Sequence, residues 1–159
     1  MIKLISTGYS EDNSCEEIFL DDSLNIVSAG NVLKENLVLK NLNVTHSTVK
    51  HDTPSYNGAY KACLATIESE IAKKEYDIIL DIHRDALSGN LNFRPPVEIN
   101  GESAAKLMFV VGTNASELAH DNWMENLKLA LLIQNTANDM YPGFFRDLNL
   151  SKSRYNQHV

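Results

Sequence analysis

Short apolar runs and helical stripes take turns along this chain, and their order predicts most of its elements. "IKLIS" (2–6) reads as a short strand, followed by the polar loop "TGYSEDNSCEE". Over 23–41, Ile26, Ala29, Val32, Leu33 and Leu37 recur at helical spacing, which predicts an amphipathic helix. Gly30 weakens that helix by about 1 kcal/mol relative to alanine, which is tolerable where it permits close packing. "LNVTHSTV" (42–49) alternates as a strand does, with Leu42, Val44 and His46 on one face. The stretch 52–74 reads as a helix with Ala59, Ala62, Cys63, Ile67 and Ile71 as its buried stripe, and a polar residue before Pro54 suits its capping and first-turn positions. "YDIILDI" (76–82) is apolar enough for a strand buried on both faces. Residues 95–112 form a hairpin around Asn100-Gly101, a type I′ turn pair, with "KLMFVVG" as the returning strand. A long helix follows over 116–141, with Leu118, Trp123, Leu127, Ala130 and Leu131 on one face, and Pro142-Gly143 ends it. The tail from Phe144 holds two possible short strands.

Strand, helix, strand, helix, strand, then hairpin and helix is the order of an α/β fold, with helices flanking a mainly parallel sheet. The 159 residues fit one domain. Ligands in such sheets gather at the carboxyl ends of strands, and both "ISTGYSE" and "DIHRDA" lie at such ends.

Composition narrows the classes. Apolar residues at 43% and charged residues at 22% are those of a folded globular protein. A net charge of −7 without a basic stripe excludes nucleic acid as a partner. No stretch reaches the roughly 18 apolar residues of a membrane span, and "MIKLIS" reads as a strand in place of a secretory signal. Cys15 and Cys63 lack C-x-x-C spacing. They read as small buried hydrophobes, with a disulfide between them as the alternative.

"DIILDIHRDA" (77–86) poses the functional question, because an apolar strand ends there in Asp81, His83, Arg84 and Asp85. A histidine beside carboxylates at a strand end is a zinc ligand or the partner of an ion pair. Glu11, in the loop after the first strand, becomes a second ligand if His83 holds zinc. Arg84 either pairs with Asp85 or grips a substrate carboxylate. His51 reads as a loop or capping residue, His46 as structural on a strand face, and His120 as solvent-facing in mid-helix.

Taken in order, "DDSLNIVSAGNVLKENL", "DTPSYNGAYKACLATIE", "DIHRDA", "MFVVG", "NWMENLKLA", "YPGFFRDL" and "RYNQH" resemble the catalytic domain of the stage II sporulation protein P family over nearly the whole sequence. The resemblance implies a zinc amidase fold of the α/β sandwich type. It also implies cleavage of the N-acetylmuramoyl-L-alanine amide of peptidoglycan, with associated endopeptidase activity, outside the cytoplasm at the engulfing membrane. A glycan-cleaving partner of the stage II sporulation protein D type goes with it. His83 and Glu11 match the family's metal ligands, and Arg84, Asp85, Asn92, Tyr155, Asn156 and Gln157 become the substrate-binding set toward stem peptide and glycan.

The sequence departs from the family pattern at the other ligand motif, roughly H-T-H-x-x-E. Ser6 and Gly8 stand at its two histidine positions, while Thr7 and Glu11 match. The family's catalytic glutamate lies on a strand beyond Val159. Zinc retention and catalysis are therefore expected to be impaired, and the loss of a final strand would expose an edge for association. The other readings are a non-catalytic peptidoglycan-binding module and a relic of the enzyme.

Overall fold

A computed structural model describes residues 1–6, 21–23, 25–51, 57–83, 96–116 and 118–159. These residues form a mixed α/β protein that separates into two compact units, Met1–Ala86 and Leu87–Val159.

In the amino-terminal unit, β1 (Ile2–Ser6) lies between β2 (Val44–Ser47) and β3 (Ile78–Ile82), and both pairings are parallel. Helix α1 (Ile26–Leu39) contacts β1 and β2. Its entry is capped by Asn25, whose Oδ1 accepts from Val27 N–H at 2.8 Å. Its exit is a Schellman motif: Asn41 takes φ 63°, Leu42 N–H reaches Leu37 C=O at 3.2 Å, and Asn41 N–H reaches Val38 C=O at 2.9 Å. The buried stripe is Ile26, Val27 and Gly30, flanked by half-buried Leu33 and Leu37. The predicted stripe shifts here, because Ala29 and Val32 face solvent. Gly30 lies on the buried side of the helix.

Helix α2 (Ala59–Ile71) buries Ala59, Cys63 and Ile67, four residues apart each time, and Ile79 of β3 packs on the last two. Ala62 and Ile71, expected in the stripe, are exposed. Residues 52–56, which carry the predicted capping turn, lie outside the described residues. Strand β3 differs from its expected burial on both faces. It lies at the edge of the three-stranded sheet among the described residues, and Ile78, Ile79 and Leu80 are half-buried.

In the carboxyl-terminal unit, β4 (Pro96–Ile99) and β5 (Glu102–Ala105) form the antiparallel hairpin. Asn100 and Gly101 at φ 53° and 83° supply the turn that their sequence predicts. The returning strand is Glu102–Ala105, not "KLMFVVG". That later segment instead contributes β6 (Val110–Gly112), which pairs in parallel with β7 (Asn149–Ser151). A bridge from Leu107 to Phe145 extends this pairing, with one extra residue on the second strand. Helix α3 (Trp123–Met140) contacts β6. Ala130, Val111 and Phe145 form the buried apolar centre, and Phe145 stacks on Phe109 with ring centroids 5.0 Å apart. Gly143, at φ 80°, turns the backbone after α3.

Candidate functional site

The parallel arrangement of β1 and β3 brings their carboxyl ends side by side, with Ser6 in register with Ile82. One residue further on, His83 leaves the sheet. Residues two apart on a strand share a face, and Asp81 uses that geometry: its Oδ2 lies 2.7 Å from His83 Nε2. A carboxylate only accepts, so Nε2–H is the donor to Asp81, and Nδ1 is the ring atom through which a metal would be held. Both side chains are about one-third exposed, so solvent and solutes reach the pair.

Strand β2 runs parallel to β1 and ends at Ser47, leading to His51. His51 is buried, with Nε2 2.9 Å from Thr66 Oγ1 on α2. Thr66 Oγ1 also lies 3.3 Å from Ala62 C=O, one turn back on α2. His46 Nδ1 is hydrogen-bonded to Asn31 Oδ1 at 3.0 Å, the structural role expected for it. Glu11, Arg84, Asp85 and Asn92 lie outside the described residues. Among the described residues, no group of three or more His, Cys, Asp or Glu side chains could hold a metal ion. A hydrolytic zinc takes three protein ligands, and among the described residues His83 and its orienting carboxylate are short of that set.

The other candidates lie in the carboxyl-terminal unit. Gln157 directs its side-chain amide at β6: Oε1 accepts from Gly112 N–H at 2.8 Å, and Nε2–H donates to Val110 C=O at 3.0 Å. Asn126 of α3 donates to the backbone carbonyl of Gln157 at 3.4 Å. Tyr155 takes a left-handed φ of 48° and is 39% exposed, and Asn156 is half-buried. Of the three, Gln157 has both ends of its amide committed to the protein's own backbone.

His120 departs most from its expected place. It precedes α3 and is only 2% exposed, and among the described residues neither ring nitrogen has a hydrogen-bond partner. Burial holds its pKa below the usual histidine value. The neighbouring His158 and Arg154 push the same way, and Asp121 opposes them. Arg154 Nη1–H donates to Ala119 C=O at 2.6 Å. The sequence signal for this cluster was weak: "AHDN" reads equally well as exposed helix or as the polar entry to one.

Residues 8–159 match the model of a protein family described as Stage II sporulation protein P (SpoIIP). Neither a search of curated proteins nor a search of solved structures returned a match.

Proposed function

The protein belongs to the stage II sporulation protein P family, and from that premise we propose that it engages peptidoglycan during sporulation, with the family's cleavage of the N-acetylmuramoyl-L-alanine amide weakened. The stem peptide and glycan would lie at the carboxyl ends of β1 and β3. The observation that carries this reading is the Asp81–His83 pair, in which Asp81 belongs to β3 and His83 stands one residue beyond the point where β1 and β3 end together. The Nδ1 of His83 is the nitrogen that zinc chemistry would use, and Glu11, five residues after the end of β1 in sequence, is the proposed second ligand. Arg84 and Asp85 follow His83 directly and would meet polar groups of the stem peptide. A glycan-cleaving partner of the stage II sporulation protein D type would make the complementary cut.

Weakening follows from the donor set. Ser6 and Gly8 occupy the motif positions where the family carries histidines. Two protein ligands hold zinc poorly when catalytic sites use three. That shortfall also favours a second reading, in which the same strand ends bind peptidoglycan without cutting it.

Sedimentation with insoluble peptidoglycan tests both readings. The protein is expected in the pellet, and His83→Ala should reduce its share. Release of stem peptides that a chelator abolishes would assign residual amidase activity, and pelleting without release would assign binding alone. A protein that stays in the supernatant and releases nothing defeats the proposal.

A further inference from the structure

Residues 154–158 are held between two elements of the carboxyl-terminal unit. On one side Gln157 grips the outer edge of β6, and Gly112 approaches so closely that a Cβ there would fall 2.6 Å from Arg154 Cα. On the other side, Arg154 bonds Ala119 C=O and the backbone carbonyl of Gln157 accepts from Asn126, in the first turns of α3. His120 Nδ1, His120 Nε2 and His158 Nδ1 are all buried, and among the described residues none has a hydrogen-bond partner.

This cluster tolerates protons badly. Arg154 is a permanent cation, His158 is a second titratable group on the same segment, and the amino end of α3 carries a partial positive charge. Among the described residues, Asp121, beside His120 in sequence, is the group that favours its charged form. Glu125, the acid in the first turn of α3, is paired with Lys128 at 2.6 Å. A charged His120 would therefore be a buried cation among cations, a costly state that opening relieves.

We propose that His120, His158 and Arg154 form an acid-sensitive latch: protonation of His120 releases residues 154–158 and bares the edge of β6 that Gln157 covers. The sign follows from the direction of the shift. His120 has a lowered pKa when buried, so the closed state is fully favoured above the ordinary histidine value of about 6.5 and loses ground as pH falls through it. The bared edge would present Gly112 N–H and Val110 C=O, the two groups that now pair with Gln157.

Amide hydrogen exchange on the full-length protein reads this directly, because two neighbouring amides report different events. Gly112 N–H depends on Gln157, whereas Thr113 N–H bonds Ser151 C=O at 2.9 Å beside β7. With the intrinsic pH dependence divided out, Gly112 protection should fall about tenfold per pH unit below about pH 6.5, the limit for one coupled proton. Thr113 should keep its protection over the same range. Constant protection at Gly112 would overturn the latch. Parallel loss at both amides would also overturn it, since that signals unfolding of the whole unit. In His120→Phe the dependence should vanish, and its persistence in a folded variant would place the proton elsewhere. If that variant does not fold, the two amides of the unaltered protein still decide.

Discussion

Gln157 lies along Gly112 as a neighbouring strand would, accepting one hydrogen bond from Gly112 N–H and donating another to Val110 C=O from a single side chain. A primary amide has the same donor and acceptor as a peptide group, so it can complete the free edge of a short strand. The tail thereby seals β6 on the side that β7 leaves open.

Replacing Gln157 with leucine keeps much of the volume and removes both bonds. Gly112 N–H and Val110 C=O would then be left without a partner near the buried Val111, at a cost of about 1–3 kcal/mol. Trp123, the one tryptophan of the sequence, lies at the start of α3 in the same unit and reports its unfolding in urea. The midpoint for Gln157→Leu should be lower than that of the unaltered protein. An unchanged midpoint would mean that the amide contributes nothing net.

Gly112→Ala attacks the same junction sterically. The added Cβ would meet Arg154 Cα at 2.6 Å and the Ser153 carbonyl oxygen at 2.7 Å, both backbone atoms without a rotamer to move away. Overpacking of this kind costs about 1–3 kcal/mol, and here relief requires displacing residues 153–154 from β6. The expected result is lower stability together with faster exchange at the altered position. A fully stable Gly112→Ala with unchanged exchange would show that the segment is not tightly held.

His51 gives a test in the amino-terminal unit. Thr66→Val preserves shape and removes the hydroxyl that is hydrogen-bonded to His51 Nε2 inside the fold. A buried polar nitrogen that loses its bond in this way costs about 1–3 kcal/mol. Circular dichroism in urea should show that loss, and pairing the variant with His51→Leu should recover part of it. If Thr66→Val alone is neutral, water reaches His51 and its burial has no energetic weight.

The elements readable from sequence are those that short-range rules decide. Asn100-Gly101 demands positive φ and the hairpin forms there; Ala59, Cys63 and Ile67 repeat every four residues and α2 buries them. Partner choice was less legible. "KLMFVVG" reads as the hairpin's second strand by proximity, but β6 pairs with a segment near the tail, and no local pattern specifies so distant a partner. The apolar content of "DIILDI" likewise suggested a central strand, and it cannot report that β3 has one described neighbour. His83 at the strand end was legible because a charged cluster after an apolar run is itself a local signal. His120 was not, since its burial comes from the packed unit and not from its neighbours in sequence.

The metal question can be settled by restoring what the ligand motif lacks. In the unaltered protein, His83 and Glu11 are the two proposed zinc ligands, and Asp81 orients the histidine at 2.7 Å. Dialysis against metal-free buffer should leave well under about one zinc per molecule, because catalytic sites use three protein ligands. The double variant Ser6→His and Gly8→His returns imidazole to both altered positions, the first at the strand end in register with Ile82 and the second two residues later in sequence. It should retain about one zinc per molecule. Adding Asp81→Ala to that variant should weaken zinc binding by about 10–100-fold, as loss of an orienting carboxylate does. Elemental analysis and competition with a coloured chelator give both quantities. If the restored histidines gain no zinc, the end of β1 does not face the His83 nitrogen, and the metal-site reading of this strand pair fails; if the unaltered protein already holds a full zinc, another residue has taken the missing place.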